Sequence, residues 1–332
     1  MSNDEDNDTG KRWRLNKPFV GISTFLRAPY VEDTDQLDAD IAVFGVPFDE
    51  GSPYLAGSRM GPRAIREHSL RFAGGDNAGI YDPTTRRTYL QRELSERRIA
   101  DVGDADVWPT AVEHSFDNAS ALTRQVLAAG AMPVMIGGDH SVTYPVVRGF
   151  DAVEPVHVIH FDAHLDYAPF VHDLRFTNMH PFRHIAPMQH VLSLTQVGIR
   201  SLRTAIEEHE DSLADGNKVV TMRDFLEHGP QGVADSVPKD ARVYVSIDID
   251  VLDLPLVPGC VSAEPEGMSY AQLRDTLEAI AGHADVVGFD LVEVNPPMDI
   301  ATGITSYLAA HTMIEFLGFI CMQPRWLDRH PR

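Results

Sequence analysis

The chain of 332 residues has little cysteine, little lysine and a deficit of positive charge. Its two cysteines, Cys260 and Cys321, stand far apart and in no metal-binding spacing. That excludes a disulfide framework and a cysteine-based zinc site. Lysine occurs only as Lys11, Lys17, Lys218 and Lys239, so nearly all of the 28 basic residues are arginine. Against them stand 49 acidic residues, for a formal net charge of −21. Nucleic acids and anionic membrane surfaces are recognised by clustered Lys and Arg, so neither is expected as the main partner. GC-rich coding and a saline host both give this composition, and the sequence does not separate them. No apolar run approaches the roughly 20 residues of a membrane span. The opening residues, Met1 to Asp8, are acidic and polar and lack the basic and apolar regions of a signal peptide. A cytoplasmic location is therefore expected.

What is present is enough for a large core. Hydrophobic residues make up 43% of the chain, as in soluble globular proteins. A chain this long buries roughly 75% of its unfolded surface and needs no staples. Residues 1–12 hold no apolar residue worth burying and read as a disordered acidic tail. Residues 13–332 show no composition break, long linker or repeat, and read as a single domain. Apolar strands are expected at Asp40–Val46, Pro133–Ile136, Val156–Phe161, Gln196–Ile199, Val243–Ile249 and Val286–Val294. Between them, helical spacing is found at Phe116–Ala129, Ser269–Ile280 and Thr305–Ile320. Continuously apolar strands alternating with helices predict a parallel sheet covered on both faces. Sites in such sheets lie beyond the carboxyl ends of the strands.

Three predicted strands run into acids and histidines. One leads into Gly137-Gly138-Asp139-His140-Ser141, a second into Asp162-Ala163-His164-Leu165-Asp166, a third into Ser246-Ile247-Asp248-Ile249-Asp250. In an extended chain, residues i, i+2 and i+4 point to one side. Asp162, His164 and Asp166 are thus expected to converge, as are Asp248 and Asp250. A single Asp after a strand is commonly a capped turn. Four crowded carboxylates repel strongly, and divalent cations relieve them. Mostly oxygen donors with some imidazole favour Mn²⁺, with Ni²⁺, Co²⁺ or Fe²⁺ as alternatives.

Together these motifs resemble the ureohydrolase superfamily of arginases, agmatinases and related guanidino-compound hydrolases. The superfamily pattern is GGDHS, DAHxD and SxDxDxxDP, and the third motif departs from it here by Leu254 between Asp253 and Pro255. Gly21–Arg27, Val43–Asp49, Gly61–Arg66, Ala100–Asp104 and Gln196–Arg200 look like the agmatinase branch, and Glu293-Val294-Asn295-Pro296 resembles a family signature. The resemblance implies a three-layer α/β/α sandwich around a parallel sheet, assembled as a homo-oligomer (trimer or hexamer). It implies two ions, Mn²⁺ or Ni²⁺, held by His140, Asp162, His164, Asp166, Asp248 and Asp250. It implies that Asp166 orients a bridging hydroxide and that Glu293 holds the substrate guanidinium.

Many relatives carry a His-Gly-x-Pro segment whose His shuttles protons to the leaving amine. Aligned on Pro181, this chain has Asn178 at that position and His180 two residues later. His180 is either the shuttle from a shifted loop or a cap on the turn before Pro181. Ala168 stands where arginases place a substrate-carboxylate reader, which disfavours arginine. Tyr167, Phe170, Phe176 and Phe182 either wall a flat cation or pack the loop. Arg175 either reads a substrate carboxylate or lies in solvent. The expected activity is hydrolysis of guanidine, an N-alkyl guanidine or agmatine to urea plus ammonia or an amine. The alternatives are a guanidino-acid or formimidoylglutamate hydrolase, or a non-catalytic subunit of a hetero-oligomer.

Overall fold

The computed structural model describes residues 21–73 and 79–330, so the acidic tail expected at 1–12 lies outside the described residues. Eight strands form one sheet: β1 Ile41–Val46, β2 Ile99–Asp104, β3 Met132–Gly137, β4 Val156–Phe161, β5 Val191–Ile199, β6 Lys218–Thr221, β7 Arg242–Asp248 and β8 Asp285–Val292. Every pairing in it is parallel, and the spatial order is β2-β1-β3-β8-β7-β4-β5-β6. The six expected strands are all present. β5 starts five residues earlier than its apolar run, because Val191 already pairs with Val156. The edge strands β2 and β6 lie outside the strands expected from the sequence. β6 is half exposed along its length, so it lacks the apolar run that marks an inner strand.

The inner strands are apolar throughout because alternate residues feed two cores. Ile41, Val43, Val134, Ile136, Val243 and Val245 face one core, while Ala42, Phe44, Met135 and Tyr244 face the other. The first core is covered by α1 Gly61–Ser69, α3 Met222–Ala234, α4 Tyr270–His283 and α5 Ile304–Cys321. The second is covered by α2 Val112–Ala128 and the short helices Thr143–Arg148 and Pro181–Ile185. This is the expected three-layer α/β/α sandwich. Ser269 caps α4 through a capping box with Gln272. α5 is apolar on nearly every side because α1, α4 and the sheet bury it.

The topology decides where a site can form. After β3 the chain passes over two strand positions to β4, and β7 and β8 later fill the gap. The four central neighbours β3, β8, β7 and β4 therefore end side by side. Each is followed by one of the polar motifs.

Candidate metal centre

Asp162 and Glu293 are the first residues beyond β4 and β8, Asp248 ends β7, and His140 lies three residues beyond β3. The polar groups converge, though not by strand continuation. Each motif turns at once, and its leading aspartate accepts the backbone N–H two residues on. Asp139 takes the N–H of Ser141 at 3.0 Å, Asp162 that of His164 at 2.6 Å, and Asp248 that of Asp250 at 2.8 Å. This Asx-type turn reverses the chain at the sheet edge and aims the next side chain back over it. Asp166 and Glu293 both take left-handed backbone, with φ of 49° and 64°. Such non-glycine conformations cost about 1–3 kcal/mol each and persist where the surroundings enforce them.

Two groups share Asp162. His140 Nδ1 lies 3.0 Å from Asp162 Oδ2, 3.0 Å from Asp166 Oδ2 and 3.2 Å from Asp248 Oδ2. His164 Nδ1 lies 3.0 Å from Asp162 Oδ1 and 3.1 Å from Asp250 Oδ2. All six expected ligands are thus brought together, and all but His164 are buried. His140 Nδ1 and Asp250 Oδ2 have no hydrogen-bond partner despite burial. The tautomer of His140 explains its orphan. Tyr244 and Ser246 donate to Asp290 at 2.6 and 2.7 Å, so the Ser246 hydroxyl accepts from His140 Nε2 at 3.0 Å. With the proton on Nε2, Nδ1 presents a lone pair to three carboxylates. A bare imidazole nitrogen among carboxylate oxygens is a donor set for a cation, and this outer network is the kind that fixes a metal-ligating histidine. The residues fit a pair of divalent ions.

The electrostatics agree. Burial, and then the Asp162 charge, pushes the Asp166 carboxyl up to about 7. Asp248 and Asp250 are raised too, first by burial and then by neighbouring aspartates. Burial would also raise Asp162, but the imidazoles of His140, His160 and His164 around it outweigh burial and hold it well below the usual range. Cations must displace the protons that these raised groups retain. Below about pH 7 Asp166 is protonated, so metal affinity is expected to fall as pH drops from 8 to 6. Calorimetry in buffers of different ionisation enthalpy measures both the fall and the proton release. An affinity flat across that range would contradict this.

The sequence does not mark His160 as a site residue. It is a buried strand residue that stacks on Phe182 at 3.7 Å and bonds Asp162 Oδ2 through Nε2 at 2.8 Å. Gln196 holds its other nitrogen at 3.3 Å. The signal was its place two residues before Asp162. Cys260 is a buried thiol beside Asp248 and Asp250, raised by burial and then by those charges, so it stays neutral.

A cavity of about 220 Å³ opens above the cluster, lined in part by Tyr54, His164, Asp166, Asn178, Arg203 and Glu208. Asn178 faces it and donates from Nδ2 to Glu293 Oε1 at 3.3 Å. His180 lies apart. It is 2% exposed, and its Nδ1 bonds the backbone and hydroxyl of Thr177 at 3.3 and 2.8 Å. Its surroundings are those of a loop tie. His180→Ala is expected to keep its metal and lose about 1–3 kcal/mol of stability, measured by metal content and thermal unfolding. The loop aromatics pack likewise. Phe176 stacks on His184 and Arg183 lies over Tyr167, while Arg175 sits 5.3 Å over Phe170 and is not among the residues lining the cavity.

Residues 39–318 match the Arginase family. The chain belongs to that family. It is 33% identical to a guanidinopropionase of Pseudomonas aeruginosa, over 90% of this chain and 92% of that one. It is 32% identical to an agmatinase of Pyrococcus horikoshii, over 86% and 93% of the two chains. The solved proclavaminate amidino hydrolase of Streptomyces clavuligerus superposes with a TM-score of 0.80 at 32% identity, covering 91% of this chain and 98% of that one. As a member of the arginase family this protein is a hydrolase of C–N bonds in linear amidines. The shared fold agrees with the parallel sheet described above.

Proposed function

We propose that this arginase-family protein hydrolyses a small guanidino compound to urea and ammonia or an amine. His140, Asp162, His164, Asp166, Asp248 and Asp250 would hold two divalent ions, and the oxygen-rich donor set favours Mn²⁺ over Ni²⁺. The observation that carries the reading is the acceptor pair beside the cluster. Glu293 Oε1 takes the His140 N–H at 2.9 Å and the Asn178 amide, leaving Oε2 with only a 3.4 Å contact from Ser58. A carboxylate only accepts, so Asn178 must turn Nδ2 towards it. Its Oδ1 is then left buried without a partner. A guanidinium donates only, carries a positive charge, and fits two acceptors and one negative charge.

Bound divalent ions supply a nucleophile at neutral pH by lowering the pKa of a water molecule. Glu293 holds the planar cation so that its carbon meets that nucleophile, converting an encounter into a positioned attack. Asp166 lines the cavity and can hold the proton given up by the attacking nucleophile and pass it to the nitrogen that leaves as the C–N bond breaks. Asn178 has no titratable group and orients Glu293 instead of moving a proton. The names of the relatives, guanidinopropionase, guanidinobutyrase and agmatinase, support the substrate class.

The test is urea release from guanidine, alkyl guanidines, agmatine, guanidino acids and arginine, with Mn²⁺ or Ni²⁺ added. Urea from at least one of them is expected. If none gives urea and formimidoylglutamate gives formamide, the reading is wrong.

A further inference from the structure

Among the described residues lining the cavity, Arg203 is the one arginine or lysine. It stands three residues beyond Arg200, in the loop that follows β5, and was not among the candidates taken from the sequence. Its side chain is 59% exposed, yet its guanidinium is held on one edge. Nε donates to Glu264 Oε1 at 3.0 Å, Nη2 donates to the Ser262 carbonyl at 3.0 Å, and Nη2 lies 2.7 Å from His164 Nε2. Ser201 fixes Glu264 in turn with a 2.8 Å bond. Among the described residues no hydrogen bond engages Nη1. A cation is therefore anchored from behind at the wall of the cavity, with one edge free.

We propose that Arg203 is a subsite for the carboxylate of a short ω-guanidino acid. The inference rests on the guanidino-hydrolase reading and names the substrate class within it. A substrate whose guanidinium lies on Glu293 extends its tail past the metal cluster into the cavity. There an ammonium tail meets the like charge of Arg203, whereas a carboxylate gains charge-assisted hydrogen bonds from it. Two acids also line the cavity, Asp166, which belongs to the metal cluster, and Glu208. Glu208 Oε1 accepts the Tyr167 N–H at 3.0 Å, so it is already engaged by the backbone.

The contact with His164 strengthens the case. His164 turns Nδ1 towards Asp162 and Asp250, the side where an ion would take its lone pair. The proton must then sit on Nε2, and an Nε2–H cannot accept from Arg203. Glu264 Oε1, 3.6 Å from Nε2, is the acceptor available to that proton. Arg203 would keep its Nε–Glu264 bond and gain a free N–H on Nη2 beside those of Nη1. That gives a two-nitrogen fork suited to a carboxylate.

The experiment uses the full chain loaded with Mn²⁺ and measures urea from 3-guanidinopropionate, 4-guanidinobutyrate, agmatine and methylguanidine. The unsubstituted protein is expected to prefer an acid over agmatine by about tenfold or more in kcat/KM. Arg203→Glu should lower the acid-to-agmatine ratio by about 100-fold, and Arg203→Gln by about tenfold. The ratio is internal to each preparation, so a partly folded variant still reports it. A preference for agmatine, or a ratio unmoved by both substitutions, overturns the subsite and leaves the guanidino reading standing. Absence of urea from every guanidino compound overturns both.

Discussion

Asp162→Ala is expected to lose both ions together and to leave urea release down by at least about 10³-fold. The two oxygens of Asp162 lie 3.0 Å from His140 Nδ1 and 3.0 Å from His164 Nδ1, so it belongs to both ligand groups. His160 also bonds it at 2.8 Å. Removing it takes one donor from each ion and the bridge between them. The signature is physical as well as catalytic. A ligand that binds only the folded state stabilises it, by about 4 kcal/mol at a thousandfold excess over its Kd. Mn²⁺ should therefore raise the Tm of the unsubstituted protein and leave that of the variant unmoved. Asp248→Ala should behave in the same direction, because Asp248 approaches His140 and neighbours Asp250. Metal analysis after dialysis reads the stoichiometry. An Asp162→Ala protein that retained two ions would sink the assignment of the shared ligand.

The ligand set was legible because three short motifs each hold a strand end and its ligands within five residues. The strands themselves showed as apolar runs, since central strands of a doubly covered sheet bury both faces. Local sequence could not show how the motifs converge. The period-two argument placed Asp162, His164 and Asp166 on one side of an extended chain, but β4 stops at Phe161 and an Asx turn does the work. Groups contributed from afar left weaker marks. Asp290 reaches His140 through Ser246, and Arg203 reaches the cavity from the loop after β5. Both relations depend on strand order, which puts β8 beside β7 and β5 beside β4. Spacing along the chain carries no trace of that order. The same limit explains His180 and Arg175. Each lies in the loop that follows the metal motif, and only packing shows that Thr177 ties down the first and Phe170 carries the second.

Glu293→Gln should cut kcat/KM by roughly 10²–10⁴-fold while both ions stay bound. Glu293 lies outside the groups of residues placed to hold ions. Burial is the first cause of its raised pKa, opposed by hydrogen bonds from His140 and Asn178, so the pocket holds a costly carboxylate that a cation would relieve. Removing one partner of a buried charge pair costs about 3–5 kcal/mol, which sets the range quoted. The amide adds a second fault. Oε1 accepts both the His140 N–H and the Asn178 amide, two donors that a glutamine can satisfy only with its oxygen. Its NH₂ must then face the guanidinium, donor against donor. Glu293→Asp keeps the charge and shortens the reach, and should fall between the two. If the order is instead Gln above Asp, distance to the cluster matters more than charge, and the guanidinium is not held by Glu293. Backbone strain cannot account for a loss in Glu293→Asp, because aspartate visits left-handed backbone at a φ of 64° more readily than Glu or Gln does. The order of the three therefore reads the charge and its placement alone.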